Sequence, residues 1–170
     1  MQTTVIINPS VQDDALHAHY APSPHHSSSS HAGPPEGSTV TGGEMEAETQ
    51  RPRALVVDDV ADVMEMIALF LKHAGYEVMM ANCGPAALEA ARAEHFDIII
   101  SDIGMPGMTG YELAQALRAL PHCSTVPMIA VTGFSVYDDK GRALQCGFNA
   151  HLTKPINPMA LLELIERLRD

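Results

Sequence analysis

Basic residues are scarce in this chain. Its 170 residues carry ten Lys and Arg against 21 Asp and Glu, a formal net charge of -11. Affinity for nucleic acid comes largely from Lys and Arg on phosphates, so this balance argues against a nucleic-acid partner. It argues equally against an anionic membrane surface. Long apolar runs are also missing, and none approaches the ~20 residues of a membrane-spanning helix. The opening "MQTTVIINPSVQDD" has no basic region and no long apolar core, so it is not expected to act as a secretory signal. Cysteine is down to three, Cys83, Cys123 and Cys146, an odd number with no metal-type spacing. They read as reduced thiols of a soluble cytoplasmic protein, with Cys146 in the core.

Large apolar residues are sparse over residues 1–51. The stretch "APSPHHSSSSHAGPPEGSTVTGGEMEAET" is rich in Pro, Ser, Gly and His. Such a composition buries too little surface to offset its ordering entropy. A disordered arm is expected over 1–51, with at most a short ordered patch around "TTVII". Its His17, His19, His25, His26 and His31 leave two readings, a flexible polar tail or a metal-binding segment. No Cys or Asp cluster supports the second.

From Arg53 onward the pattern is regular. "RALVVDD" is a short apolar run ending in acids. "VADVMEMIALFLKHAG" places Val60, Val63, Met64, Ile67 and Leu71 at helical spacing, with Gly75 at the C-cap. "YEVMMA" reads as a second strand. "GPAALEAARAEH" follows as a helix with Pro85 in its first turn. "DIIIS" is a third strand, and Thr109 and Glu112 in "TGYELAQALRAL" have capping-box spacing. "PMIAVT", the helix "SVYDDKGRALQCG" and the strand "AHLT" come next. The last helix, "NPMALLELIERLR", starts with Asn157 as cap and Pro158 at its first position. Strict strand–helix alternation implies an α/β fold, a parallel sheet with helices on both faces. The continuous apolar strands fit a sheet covered on both sides.

In such sheets ligands bind at the carboxyl ends of the strands. The first strand ends in Asp58 and Asp59, the third in Asp102, the fourth in Thr132 and the fifth in Lys154, before Pro155. Asp59 by itself reads more simply as a helix cap. The joint occurrence asks for chemistry. Clustered carboxylates repel and need a cation, and an all-oxygen donor set selects a hard ion such as Mg²⁺. No His or Cys cluster favours zinc at the strand ends. Lys154 supplies a positive charge and Thr132 a hydroxyl for phosphoryl oxygens. Asp102 is then free to act as a carboxylate nucleophile. Gly104 leaves the approach to Asp102 open and offers its carbonyl as a further metal ligand. Pro106 and Gly107 shape the turn.

"LVVDD", "DIIISDIGMPGMTGYEL", "PMIAVTG" and "HLTKP" together resemble the receiver domain of bacterial two-component response regulators. The resemblance covers residues 52–170. It implies a flavodoxin-like (βα)5 sheet of order 2-1-3-4-5. It implies that Asp102 accepts a phosphoryl group from a phosphohistidine on a sensor histidine kinase or histidine phosphotransfer protein. It implies Mg²⁺ bound by Asp59, Asp102 and the Gly104 carbonyl, with Asp58 assisting partly through water. Lys154 would hold the phosphoryl group, and its bond to Pro155 is typically cis in such domains. Thr132 would report phosphorylation to the face of the fourth helix, fifth strand and fifth helix, where a downstream protein target binds. The protein would catalyse only its own phosphorylation and dephosphorylation.

Two positions depart from the commonest pattern. The aromatic switch position on the last strand is His151, which can still change rotamer. It reads as a variant filler rather than a pH sensor. Near the site mouth, Phe134 stands where smaller or polar groups are common. It would hinder the attacking water and lengthen the phosphorylated lifetime, a lifetime that Gly104 also modulates. The polar helix with Tyr137, Asp138, Asp139, Lys140 and Arg142 is a candidate partner face, with a merely solvated face as the plain alternative. The chain begins with Met and stops one helix after the lysine, so a single-domain regulator is expected. A phosphorelay intermediate or phosphate sink is the alternative. Small-molecule enzymes fit poorly, because "DDVADV" would repel a flavin phosphate and no cap domain accompanies the acids.

Overall fold

The computed structural model describes residues 50–133 and 137–169. The arm expected over 1–51, its "TTVII" patch and its histidines therefore lie outside the described residues, apart from the junction at Gln50 and Arg51. Phe134 also lies outside them, as do the side chains of Tyr137, Asp138, Asp139 and Lys140.

Strands and helices alternate: β1 (Arg53–Val57), α1 (Ala61–His73), β2 (Glu77–Ala81), α2 (Gly84–Ala93) and β3 (Ile98–Asp102) come first. Then follow α3 (Gly110–Arg118), β4 (Met128–Thr132), α4 (Tyr137–Gln145), β5 (Ala150–Thr153) and α5 (Pro158–Arg169). A 3-10 turn, Pro121–Cys123, lies between α3 and β4. All strand pairs are parallel, in the order β2-β1-β3-β4-β5. This is the doubly wound flavodoxin-like fold.

Side chains alternate across the sheet and build two cores. Ala54, Val56, Ile98, Ile100, Ile129, Val131 and Leu152 face α1 and α5, meeting Ile67, Leu71, Leu161 and Leu164. Leu55, Val57, Ile99, Met128 and Ala130 face the other way, against Ala87, Ala91, Leu113, Leu117 and Ala143. Both faces are covered, so the strands need no polar alternation. β2 is the exception. As an edge strand it pairs only with β1, and Glu77 and Met80 reach solvent. Val60, read at helical spacing, is the N-cap of α1 and 47% exposed. One sequence expectation about the core needs correction. Cys146 is only half-buried at the rim of the core, while Cys123 is fully buried.

The helix ends form as the sequence reads. Gly75 takes φ +90 after α1, and the Tyr76 amide reaches the Leu71 carbonyl at 3.0 Å, closing a Schellman motif. Gly147, at φ +107, ends α4 in the same way, with the Phe148 amide 3.1 Å from the Ala143 carbonyl. Thr109 and Glu112 complete the capping box of α3. The Thr109 amide donates to Glu112 Oε2 at 2.9 Å, and the Glu112 amide to Thr109 Oγ1 at 3.3 Å. Asn157 Oδ1 accepts from the Met159 amide at 2.9 Å and caps α5.

One anchor is absent from any sequence motif. Arg118, at the end of α3, donates to the carbonyls of Cys123, Ser124, Val126 and Gly147 and to Asn149 Oδ1, at 2.7–3.0 Å. Asn149 in turn accepts from the Met128 amide at 2.8 Å. The planar guanidinium therefore staples α3 to the entries of β4 and β5. Burial pushes its pKa down to about 10, so it stays charged at neutral pH.

Lysine cannot reproduce that fork. Arg118→Lys is expected to lower unfolding free energy by about 2 kcal/mol and Arg118→Ala by more, in urea denaturation. A second expectation concerns pH. The Thr109 amide, helped by the Thr109 hydroxyl, holds the Glu112 carboxyl below its ordinary range. The charged cap therefore stabilises α3 above the unfolded pKa and loses that effect as pH falls through the folded one. The stability gap between wild type and Glu112→Gln should be constant above about pH 5 and close in more acidic solution.

Candidate functional site

The parallel register brings all carboxyl ends of the strands to one edge. Asp102 lies opposite Val131, and Thr132 opposite Thr153. The Lys154 amide donates to the Thr132 carbonyl at 2.8 Å, so the two polar residues leave the sheet side by side. Between them opens a cleft of about 240 Å³, lined by Asp59, Val60, Asp102, Gly104, Thr132, Gly133 and Lys154. Each predicted strand-end residue within the described range except Asp58 lines it. Asp58 lies just beneath, 1% exposed.

Carboxylate oxygens of Asp58, Asp59 and Asp102 all lie within 4.8 Å of one another. The Lys154 ammonium bridges two of them, 2.8 Å from Asp58 Oδ2 and 2.9 Å from Asp102 Oδ1. The other Asp58 oxygen accepts from the Val60 amide at 2.9 Å, which fixes the orientation of the carboxylate. The helix-cap reading of Asp59 is not borne out, since α1 has no side-chain cap bond at its N-cap and Asp58 engages the Val60 amide instead. Asp59 is exposed, with its carboxylate toward the cleft.

Electrostatics follow from this packing. Burial raises the Asp102 carboxyl above its ordinary range, and repulsion from Asp58 adds to the rise, against the opposing bond from Lys154. Burial alone would lower the Lys154 ammonium, but its bonds to Asp58 and Asp102 outweigh that and hold it above its ordinary value. The site is therefore a charge imbalance, three acids around one ammonium. A hard divalent cation fits the donor set, three carboxylates whose oxygens lie within 4.8 Å of one another.

The loop after Asp102 is shaped by close approach. The Gly104 amide hydrogen-bonds the Asp102 carboxylate. A Cβ on Gly104 would sit 3.6 Å from Asp102 Oδ2, at the entrance. Gly107 turns the chain at φ +78, and the Gly110 amide returns to the Ile103 carbonyl at 3.0 Å. A Cβ on Gly110 would lie 2.2 Å from the Asp102 carbonyl oxygen. The Ser101 hydroxyl donates to that same oxygen at 2.9 Å. Sequence reasoning missed Gly110 and Ser101, and only the doubled role of the "TG" pair, cap then contact, hints at the first. His151 is buried on β5 beside Ala130 of β4, on the side of the sheet that packs against α2, α3 and α4. The Lys154–Pro155 bond is cis. On α4, the Arg142 guanidinium lies 4.5 Å over the Tyr111 ring.

Residues 54–166 match the sequence family described as the response regulator receiver domain. The chain is 37% identical over 113 residues to an uncharacterized 14.6 kDa protein of Leptolyngbya boryana, covering 66% of this chain and 86% of that one. It is 33% identical over 120 residues to the sensor protein GacS of Pseudomonas syringae pv. syringae, covering 69% of this chain but only 13% of that one. Among solved structures it is similar to the chemotaxis response regulator CheY4 of Vibrio cholerae, with 36% identity and a TM-score of 0.66. That match covers 69% of this chain and 98% of the other. The receiver domain of the sensor histidine kinase PA1611 of Pseudomonas aeruginosa is 28% identical with a TM-score of 0.66, covering 70% and 98%. That structure has a magnesium ion coordinated in its active site cleft.

The contact at Gly110 makes a sharp test. Gly110→Ala should cost about 3 kcal/mol and shift the backbone NMR signals of Asp102, Ile103 and Val131. Gly141→Ala, where a Cβ meets nothing within 4 Å, should leave those signals in place.

Proposed function

This chain belongs to the response regulator receiver domain family of two-component signalling, and from that premise we propose that Asp102 is its phosphoacceptor. One observation carries the reading. Asp102 is a carboxylate only 6% exposed, yet it lines an open cleft with an ammonium and two further acids against it. The donor is a phosphohistidine on a sensor histidine kinase or histidine phosphotransfer protein. An oxygen of the ionised Asp102 attacks phosphorus, the bond from phosphorus to the donor imidazole nitrogen breaks, and that nitrogen takes a proton from solvent. Hydrolysis later returns the carboxylate, so the chain modifies itself and turns over no separate substrate.

The other residues position and neutralise. Asp59, Asp102 and the Gly104 carbonyl would hold Mg²⁺, with Asp58 assisting partly through water, and the ion supplies charge neutralisation at the phosphoryl oxygens. The magnesium in the PA1611 receiver supports that choice of ion. Lys154 leaves its bridge between the acids and pairs with a phosphoryl oxygen. Thr132 offers its hydroxyl to another. Movement of Thr132 and of His151, buried in this state, switches the face of α4, β5 and α5 toward a downstream protein. Gly104 and Phe134 set the lifetime of the phosphorylated state through access of water. A cytoplasmic setting suits the free thiols of Cys83, Cys123 and Cys146.

A relay role is the second reading. It is favoured by the match to a segment within the sensor protein GacS, where a receiver is one part of a much longer chain. In a relay role the phosphoryl group of this chain would pass onward to a histidine phosphotransferase.

Intact mass after incubation with acetyl phosphate tests the proposal. A single phosphoryl adduct is expected with Mg²⁺ present, absent with a chelator and absent in Asp102→Asn. An adduct that survives Asp102→Asn would place the acceptor elsewhere, and no adduct in a folded wild type would mean a closed site. Rapid loss of the adduct to an added histidine phosphotransferase, against slow hydrolysis alone, separates relay from switch.

A further inference from the structure

The loop between β3 and α3 carries Gly104, whose carbonyl is assigned above to the cation. It closes at its base, where the Gly110 amide returns to the Ile103 carbonyl at 3.0 Å. Between those points Gly104, Pro106 and Gly107 are exposed. Two methionines tie the loop down. Met105 is 4% exposed and belongs to the core on the side of α2, α3 and α4. Met108 is half-buried at the rim of that core and lies directly on Gly84, the first residue of α2.

Gly84 provides room. A Cβ there would stand 2.7 Å from Met108 Cγ and Sδ and 2.8 Å from Met108 Cβ. Relaxed carbon contacts lie at about 3.5–4.0 Å. Turning the thioether end cannot clear the Met108 Cβ, so the backbone of one partner would have to move. The start of α2 is the firmer of the two. The Ala87 amide bonds the Cys83 carbonyl at 3.1 Å, and Pro85 fixes the first turn. Just before it, the Ala81 carbonyl at the end of β2 accepts the Asp58 amide at 3.2 Å. The loop is what yields, and its Gly104 amide holds the Asp102 carboxylate.

We propose that Met108, seated on Gly84, is a positioning residue for the cation site: the contact sets how closely the Gly104 backbone approaches Asp102. The proposal rests on reading the cleft as a Mg²⁺ site. Neither Gly84 nor Met108 lines that cleft, so both act through the loop. Alanine is a better helix former than glycine, so propensity alone would favour Gly84→Ala, and the contact with Met108 opposes it.

Backbone amide NMR of the full chain through a Mg²⁺ titration tests it. Without metal, Gly84→Ala should shift the Gly104 and Asp102 amide signals. The Mg²⁺ needed for half-saturation should rise about tenfold, as when the support around metal ligands is disturbed. Met108→Gly removes all three contact atoms, and it too should shift Gly104 and weaken Mg²⁺ binding. In the Met108→Gly background, Gly84→Ala should add nothing further. Should Gly84→Ala not fold, Met108→Gly alone decides, by whether the Gly104 signal moves. Gly104 signals that stay in place in both single variants would overturn the role of Met108. So would a Gly84→Ala effect that persists undiminished in the Met108→Gly background. A wild type with no Mg²⁺ response would overturn the cation site instead, while the metal-free Gly104 signal still reports on the contact.

Discussion

One ammonium between two carboxylates organises the carboxyl edge of this sheet. Lys154 reaches Asp58 and Asp102 at 2.8 and 2.9 Å, and Asp59 adds a third acid within 4.8 Å of both. Such a group of like charges is unfavourable in isolation, and burial worsens it. The scaffold holds it together through contacts made elsewhere. Apolar strands, sealed on both faces, fix where each strand ends. The site is thus a local excess of negative charge that the fold tolerates, and that excess suits a hard divalent cation.

Rigidity around Asp102 comes from backbone approach as much as from side chains. Its carbonyl oxygen takes the Ser101 hydroxyl and lies where Gly110 alone fits. The next residue, Tyr111, carries the Arg142 guanidinium on its ring. A short path of packed groups therefore runs from β3 through the start of α3 to α4.

Much of this was legible in the residues. Strand ends read from apolar runs placed Asp102, Thr132 and Lys154 at the cleft, and the glycine and asparagine signals located the helix ends at Gly75, Gly147 and Asn157. What stayed hidden depends on distance in space. Asp58 and Asp59 are adjacent in sequence, and only the packing shows that one is pinned and buried while the other faces the opening. Val60 has the spacing of a core residue, but it precedes the first helical turn and reaches solvent. Arg118 reads as one more charge at a helix end, and its acceptors come from carbonyls that no side-chain pattern records. Gly84 and Met108 are distant in sequence and meet only because the loop after β3 packs on the start of α2.

The Arg118 staple has a consequence for how the two ends of the sheet respond to the surrounding electrolyte. Its acceptors are neutral carbonyls and an amide, so the interaction is between a charge and dipoles within hydrogen-bond range. Dissolved ions screen charge pairs over a Debye length of about 8 Å at physiological ionic strength, and they hardly reach a bond of this kind. The carboxyl edge, with its surplus of acids open to solvent, is where screening acts. Ionic strength therefore acts on the carboxyl edge, while the Arg118 staple, which keeps β4 and β5 in place, is indifferent to it.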